Sequence, residues 1–224
     1  MGTQDLRKYN VRPKPIRYLL GYLVLFLGTF LTKIRLRGSE YVPTKGPFIV
    51  VCNHFNRLDP PFVIYAIKKP INFLMASDQT VEAQIMWAPW LYGFIPTNRQ
   101  NLAPSTLKRS LRALQRGEVV GIFPEGGATE QYLRPAKKGA AYMAMTANVP
   151  ILPMSIIGMD NIWDNWFKGV KPILDITIGK PFSLGKIPSD KKEREVALKK
   201  AGDEIMLKIA ELLPPKWHGD FVLQ

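Results

Sequence analysis

A disulfide needs two cysteines, and this chain of 224 residues has one, Cys52. An internal disulfide framework is excluded, and the composition fits a reducing, cytosolic compartment. Histidine is nearly as scarce: His54 and His218 are the only two. One thiol and two imidazoles do not make a zinc-type ligand set, so neither a metal nor a cofactor is expected. Acidic residues are also short, 18 against 31 Lys and Arg, for a formal net charge of +13. That surplus favours an anionic partner: nucleic acid, anionic lipid or a phosphorylated substrate. No zinc-finger, ribonucleoprotein or basic-zipper pattern is present, which argues against nucleic acid. No Gly-x-Ser-x-Gly elbow supports a serine hydrolase. The stretch from Gly179 to Lys186 has the wrong spacing for a nucleotide phosphate loop and lacks its final Ser/Thr. Internal repeats and linkers are absent too, so the chain is most simply one domain with a sizeable core.

What is present is an uncharged apolar stretch, residues 18–32, with basic residues on both sides. Arg7, Lys8, Arg12, Lys14 and Arg17 precede it, Lys33, Arg35 and Arg37 follow it, and only Asp5 opposes them before Glu40. Such flanks suit a lipid headgroup layer. As a helix the stretch is about 22 Å long, short of the roughly 30 Å hydrocarbon core. No small-x-small cleavage site follows, so it does not read as a signal peptide. The best reading is an in-plane or half-inserted anchor on the cytoplasmic leaflet of the cell membrane. A single span with Arg17 and Lys33 snorkelling is the alternative, and a buried core helix is the bland one. Residues 1–37 are thus expected to be a membrane anchor and residues 38–224 a catalytic domain.

Beyond the anchor, short apolar runs alternate with helical patterns. Residues 34–37, 48–52, 71–76, 119–123, 151–157 and 173–178 read as strands, and residues 61–67, 77–87, 105–116 and 138–148 as helices. Ser189-Asp190 opens a charged helix with Leu198, Ala201, Ile205, Ile209 and Leu212 on one face, running toward Pro214-Pro215. The expected fold class is α/β: a mixed, largely buried sheet flanked by helices, preceded by the N-terminal membrane-anchoring helical segment.

The most informative stretch is Asn53-His54-Phe55-Asn56-Arg57-Leu58-Asp59, directly after the apolar run Phe48-Ile49-Val50-Val51-Cys52. It places an imidazole where a strand gives way to a turn, with a carboxylate one loop-width away. A general base needs that pairing: a ring that titrates near neutrality and an acid to hold its tautomer and support its positive charge.

Four segments in order resemble the glycerophospholipid acyltransferase family, especially 1-acylglycerol-3-phosphate acyltransferases. They are Asn53-His54 with Asp59, then Gly93-Phe94-Ile95-Pro96-Thr97-Asn98-Arg99, then Phe123-Pro124-Glu125-Gly126, and last Val149-Pro150-Ile151-Leu152-Pro153. Lys137-Lys138-Gly139-Ala140 lies between the last two. The resemblance implies transfer of a fatty acyl group from a thioester, acyl-CoA or acyl-ACP as co-substrate, to the sn-2 hydroxyl of 1-acylglycerol-3-phosphate. It implies His54 as base and Asp59 as its partner, with Arg99 and Glu125 at the acceptor site. Gly126 would let backbone approach the ligand, and Lys137 and Lys138 are further cations for the acceptor phosphate. Expected partners are a lysophospholipid acceptor, an acyl carrier protein as one form of donor, and an anionic membrane surface. One departure stands out: many members read Glu-Gly-Thr-Arg-Ser at the third block, whereas this chain has Glu125-Gly126-Gly127-Ala128-Thr129. Arg134, Lys137 or Lys138 could stand in for the missing arginine, or the acceptor could be another lysophospholipid. A reading from a different class is a non-catalytic peripheral membrane protein that binds anionic lipid.

Cys52 is expected to be a small buried strand residue. Met75, Met86, Trp87, Trp90 and Phe94 are expected to line an acyl groove or pack in the core.

Overall fold

A computed structural model describes residues 11–76, 91–97 and 102–221. Its strands are β1 (Lys33–Arg37), β2 (Phe48–Cys52), β3 (Ile71–Ala76), β4 (Ile95–Thr97), β5 (Val119–Ile122), β6 (Ile151–Ile157) and β7 (Ile173–Ile178). Its helices are α1 (Lys14–Leu31), α2 (Asp59–Ile67), α3 (Pro104–Gln115), α4 (Lys138–Ala147), α5 (Ile162–Phe167) and α6 (Lys191–Ala210). The strands form one sheet in the order β1-β7-β6-β2-β5-β3-β4. Only β6 and β7 pair antiparallel, so β1 and β7 run against the other five.

The central strand β2 shows why its sequence is apolar throughout. Phe48, Val50 and Cys52 point into a core shared with Phe62, Val63 and Ile67 of α2, while Ile49 and Val51 point into one shared with α3, α4 and α6. Side chains alternate between faces along a strand, and here helices cover both. The edge strand β1 is different, with Lys33, Arg35 and Arg37 exposed. It belongs to the sheet although its charges group it with the apolar segment, so a boundary at residue 37 runs through the fold.

Local signals explain several helix ends. Asp190 caps α6, its Oδ1 accepting from the amides of Lys192 (2.9 Å) and Glu193 (3.0 Å). Gly117, at φ +72°, follows α3 and ends it, and Asn148 adopts the left-handed conformation after α4. Two elements lie outside the periodicity reading. β4 is three residues containing a proline, too short to show a pattern, and α5 is six residues opening on Asn161 with no side-chain cap. The helix expected over residues 77–87 lies outside the described residues.

Helix α1 packs on α2, and its faces are inverted relative to a water-soluble helix. Gly28 meets Tyr65, where a Cβ would come within 3.0 Å of the ring, and Gly21 meets Ile64. Arg17 is buried at 3% exposure, donating to Asn72 Oδ1 at 3.1 Å and standing 3.5 Å from Glu118. Leu19, Tyr22, Phe26 and Phe30 are the exposed side, at 62–70%. The small and charged residues thus face protein, and the bulky apolar ones face outward. By length and composition alone α1 could cross a membrane. Both its ends, however, are fastened to the same body: Arg17 to the cluster below β3 and β5, and Leu31 through its carbonyl to Trp166 Nε1 at 2.9 Å.

Candidate active site

The loop bearing His54 follows β2 at the carboxyl end of the parallel strands, the usual position for a site in an open α/β sheet. His54 Nδ1 and Asp59 Oδ2 lie 2.8 Å apart. An ionised carboxylate can only accept, so in this contact Nδ1–H donates, and a neutral ring then has its lone pair at Nε2. The His54 side chain is 17% exposed and that of Asp59 is fully buried, an arrangement that supports the ring from behind and leaves one edge accessible. Asp59 occupies the first turn of α2, where the helix dipole favours a carboxylate. Burial pushes its carboxyl above the ordinary range, and the hydrogen bond and charge of His54, with the amides of Asn56 and Phe55, pull the other way.

The loop is held by two asparagines, Asn53 and Asn56, that flank His54. Asn53, fully buried, donates through Nδ2 to the carbonyl of Ile156 at 2.9 Å and accepts at Oδ1 from the Ile156 amide at 2.8 Å. This ties the end of β2 to β6. The Asn56 amide donates to Asp59 Oδ2 at 2.9 Å, its Oδ1 accepts from the Leu58 amide at 3.0 Å, and its Nδ2 reaches the Met159 carbonyl at 3.3 Å. The signal available in the sequence was Asn flanking the His-Asp pair, a residue type that closes turns on its own backbone.

The third block joins the first. The Glu125 Oε1 accepts from the His54 backbone amide at 2.9 Å, and Oε2 lies 3.4 Å from Arg134 Nε. Arg134 also donates to the Gly127 carbonyl. The Glu125 side chain is fully buried, and burial pushes its carboxyl up to about 7 against the opposing pull of the His54 amide and Arg134. Gly126 closes the turn by donating to the Phe123 carbonyl at 3.0 Å, at φ +79°, a conformation that favours glycine. Phe123 stacks on the His54 ring with centroids 4.1 Å apart, and Phe73 stacks on Phe123 in turn. The ring is therefore fixed by a hydrogen bond at one edge and an aromatic surface on one face.

The remaining candidates separate. Lys137 and Lys138 are exposed at the start of α4, and the Lys137 amide donates to the Pro124 carbonyl at 2.8 Å, which puts that stretch beside the Glu125 turn. Pro150 and Pro153 shape β6 against β2, with Pro153 in register with Val51. Arg99 lies outside the described residues, as do Met86, Trp87 and Trp90. Phe94 is a core residue at 2% exposure. Cys52 is buried, and burial, with the charges of Asp59 and Glu125, raises its thiol well above the ordinary value, which makes it a poor nucleophile. His218 is also buried, its Nε2 within 2.8 Å of the Leu213 carbonyl. No group of three or more metal-type ligands occurs among the described residues.

The neighbouring Trp217 stacks on Phe55 with centroids 5.6 Å apart, and its carbonyl accepts from the Leu133 amide at 2.9 Å. The C-terminal segment thereby clasps both the His54 loop and the loop carrying Arg134.

Comparison with known proteins identifies relatives of the chain. The acyltransferase family model matches residues 33–157, more than half of the chain. A 1-acyl-sn-glycerol-3-phosphate acyltransferase of Bacillus subtilis (strain 168) is 27% identical over 177 residues, covering 75% of this chain and 83% of that protein. One from Borreliella burgdorferi is 28% identical over 134 residues, covering 58% of this chain and 54% of that protein. The crystal structure of the 1-acyl-sn-glycerophosphate (LPA) acyltransferase PlsC from Thermotoga maritima superposes with a TM-score of 0.57 at 22% identity, over 84% of this chain and 79% of that one, and shows the same fold. The chain belongs to the acyltransferase family.

Proposed function

We propose that this protein moves a fatty acyl group from an acyl-CoA or acyl-ACP thioester to the sn-2 hydroxyl of 1-acylglycerol-3-phosphate, forming phosphatidic acid. The observation that carries the reading is the 2.8 Å contact between His54 Nδ1 and buried Asp59, with the other ring edge accessible. His54 Nε2 takes the proton of the acceptor hydroxyl as its oxygen attacks the thioester carbonyl carbon. Asp59 holds the tautomer and supports the imidazolium that forms. The tetrahedral intermediate collapses with breakage of the carbon–sulfur bond, and the imidazolium returns its proton to the departing thiolate. No covalent enzyme intermediate is needed, consistent with the inert state of Cys52. The relatives named above support the acceptor.

Acceptor phosphate is held by cations. Arg99 is the proposed leading contact, with Lys137 and Lys138 beside it. The proximity of Arg134 to Glu125 supports Arg134 as the stand-in for the arginine replaced by Ala128. Glu125 braces the His54 backbone and orients Arg134. The substitution at Ala128 also favours a second reading of the same chemistry, acylation of another lysophospholipid. Helix α1 supports a monotopic placement on the cytoplasmic face, lying in the plane of the bilayer with its apolar side down.

Thiol release by purified protein, with acyl-CoA and acyl-ACP donors against a panel of lysolipids, tests the proposal. Turnover with 1-acylglycerol-3-phosphate is expected. Absence of turnover with every glycerolipid acceptor would overturn it, and preference for another lysolipid would select the second reading.

A further inference from the structure

We propose that α5 and the turn after it form a second lipid-docking surface, made of Trp163, Phe167, Val170, Lys168 and Lys171, that seats on an anionic bilayer beside α1. This rests on the reading of α1 as an in-plane anchor. Phe167 is 88% exposed, Trp163 57% and Val170 52%, although α5 already buries Ile162 as its core contact. The aromatics are therefore on the outer side of a seated element. That side is continuous with the apolar side of α1. Trp166 donates to the Leu31 carbonyl at 2.9 Å and packs edge-to-face on Trp163 with centroids 5.3 Å apart. Lys171 Nζ stands 5.0 Å from the ring centroid of Phe30, which is itself exposed and stacked on Phe26. The two patches are one apolar surface built from two elements.

Charge selects the occupant. Asp160 and Asp164 lie at the start of the element, but residues 165–174 carry only Lys168 and Lys171. In the adjoining edge strand Lys33, Arg35 and Arg37 are exposed, with Asp175 engaged by Arg35 and Arg37. Aromatic side chains interleaved with lysines match the headgroup boundary of an anionic membrane, whereas lysines are depleted from protein–protein contact surfaces. The position is useful as well. β6 leads past Met159, whose carbonyl accepts from Asn56 of the catalytic loop, directly into α5. Seating α5 would hold that loop at the surface where lysolipid resides.

The test uses the full chain, whose one native thiol is buried. An environment-sensitive fluorophore is attached through Phe167→Cys, and in a separate protein through Phe26→Cys. Each is mixed with phosphatidylcholine vesicles with or without phosphatidylglycerol. A blue shift at both positions, quenched by spin-labelled lipid and strongest with phosphatidylglycerol, is the expected result. A shift at position 26 without one at position 167 overturns the proposal and leaves the anchor reading standing. No shift at either overturns both. A shift at 167 that follows protein concentration without vesicles identifies a second copy of the chain as the occupant and also overturns it. In unlabelled protein, Phe167→Ala is expected to weaken vesicle binding about tenfold, and Lys168→Glu about fivefold. Unchanged binding of both variants overturns the proposal.

Discussion

Glu118 and Glu125 flank the same strand, β5, and both are almost fully buried, at 8% and 1% exposure. Their carboxyls are displaced in opposite directions. Burial raises both. At Glu118 the hydrogen bonds of Arg116 and Asn72 and the charges of Arg116 and Arg17 outweigh it and hold the group at about 2. At Glu125 the His54 amide and a single arginine at 3.4 Å do not, and the neighbouring charge of Asp59 works against ionisation, so the group stands at about 7. The amino end of the strand is a multiply paired fastening that ties α1 to the sheet. At the carboxyl end, among the described residues, Arg134 is the one cation paired with Glu125, and His54 is paired with Asp59. A buried carboxyl near neutrality beside a paired imidazole is an arrangement that reactive sites share, and it is the ground on which this cluster is the candidate site.

The largest effect should come from breaking the carboxyl end. His54→Ala is expected to lower thiol release about 10³-fold, with vesicle binding unchanged. Full activity would remove His54 from the mechanism. Next, at the other end, Arg17→Leu leaves Glu118 without its buried partner and should cost about 3 kcal/mol in denaturant unfolding. A loss as small as that of a surface substitution would mean that α1 is not fastened there.

Smaller and opposite effects distinguish the two glutamates by pH. For Glu125 the folded value, about 7, lies above the ordinary 4.5, so the folded state holds an extra proton between those values. Its burial penalty is absent below about pH 4.5 and complete above about pH 7. Glu125→Gln should therefore gain about 2 kcal/mol relative to wild type on passing from the low to the high side. For Glu118 the folded value of about 2 lies below 4.5, so its stabilisation is present above about pH 4.5 and lost as pH falls toward 2. Glu118→Gln should cost about 2 kcal/mol at neutral pH, since buried Arg17 loses its anion while the exposed partners Arg116 and Lys14 are screened by water, and nothing at the acid limit. Parallel unfolding curves for wild type and both variants across pH check the pair. Shifts of the same sign would erase the contrast.

Much of the fold was legible because its signals are local. The unbroken apolar run of β2 announces burial on both faces, Gly117 ends α3, and Asp190 caps α6. Helix α6 also obeys the usual solvent rule, with charged residues outward and Ile205, Met206 and Ile209 inward. From sequence, helix α1 shows only an uncharged apolar stretch between basic flanks. Only packing revealed that Gly21 and Gly28 face α2 and that Arg17 is the buried residue. In the site, His54 and Asp59 were legible because only four residues of loop separate them. Glu125 was expected at the acceptor, yet its carboxylate is occupied by the His54 amide, a contact spanning 71 residues of chain. The clamp of Asn53 on Ile156 spans 103. No local pattern encodes contacts of that range, and α5 and β4 escaped notice because six and three residues are too few for a period to show.

The amino-acid order by itself settled which reactive groups exist and which turns and helices they punctuate, since backbone propensity and periodicity act over a few neighbours. Tertiary structure alone decided which glutamate is held ionised and which is held near neutrality, and which side of α1 meets protein. Those outcomes depend on how much water is excluded and which charges arrive from distant parts of the chain, quantities that come into being only when the sheet closes.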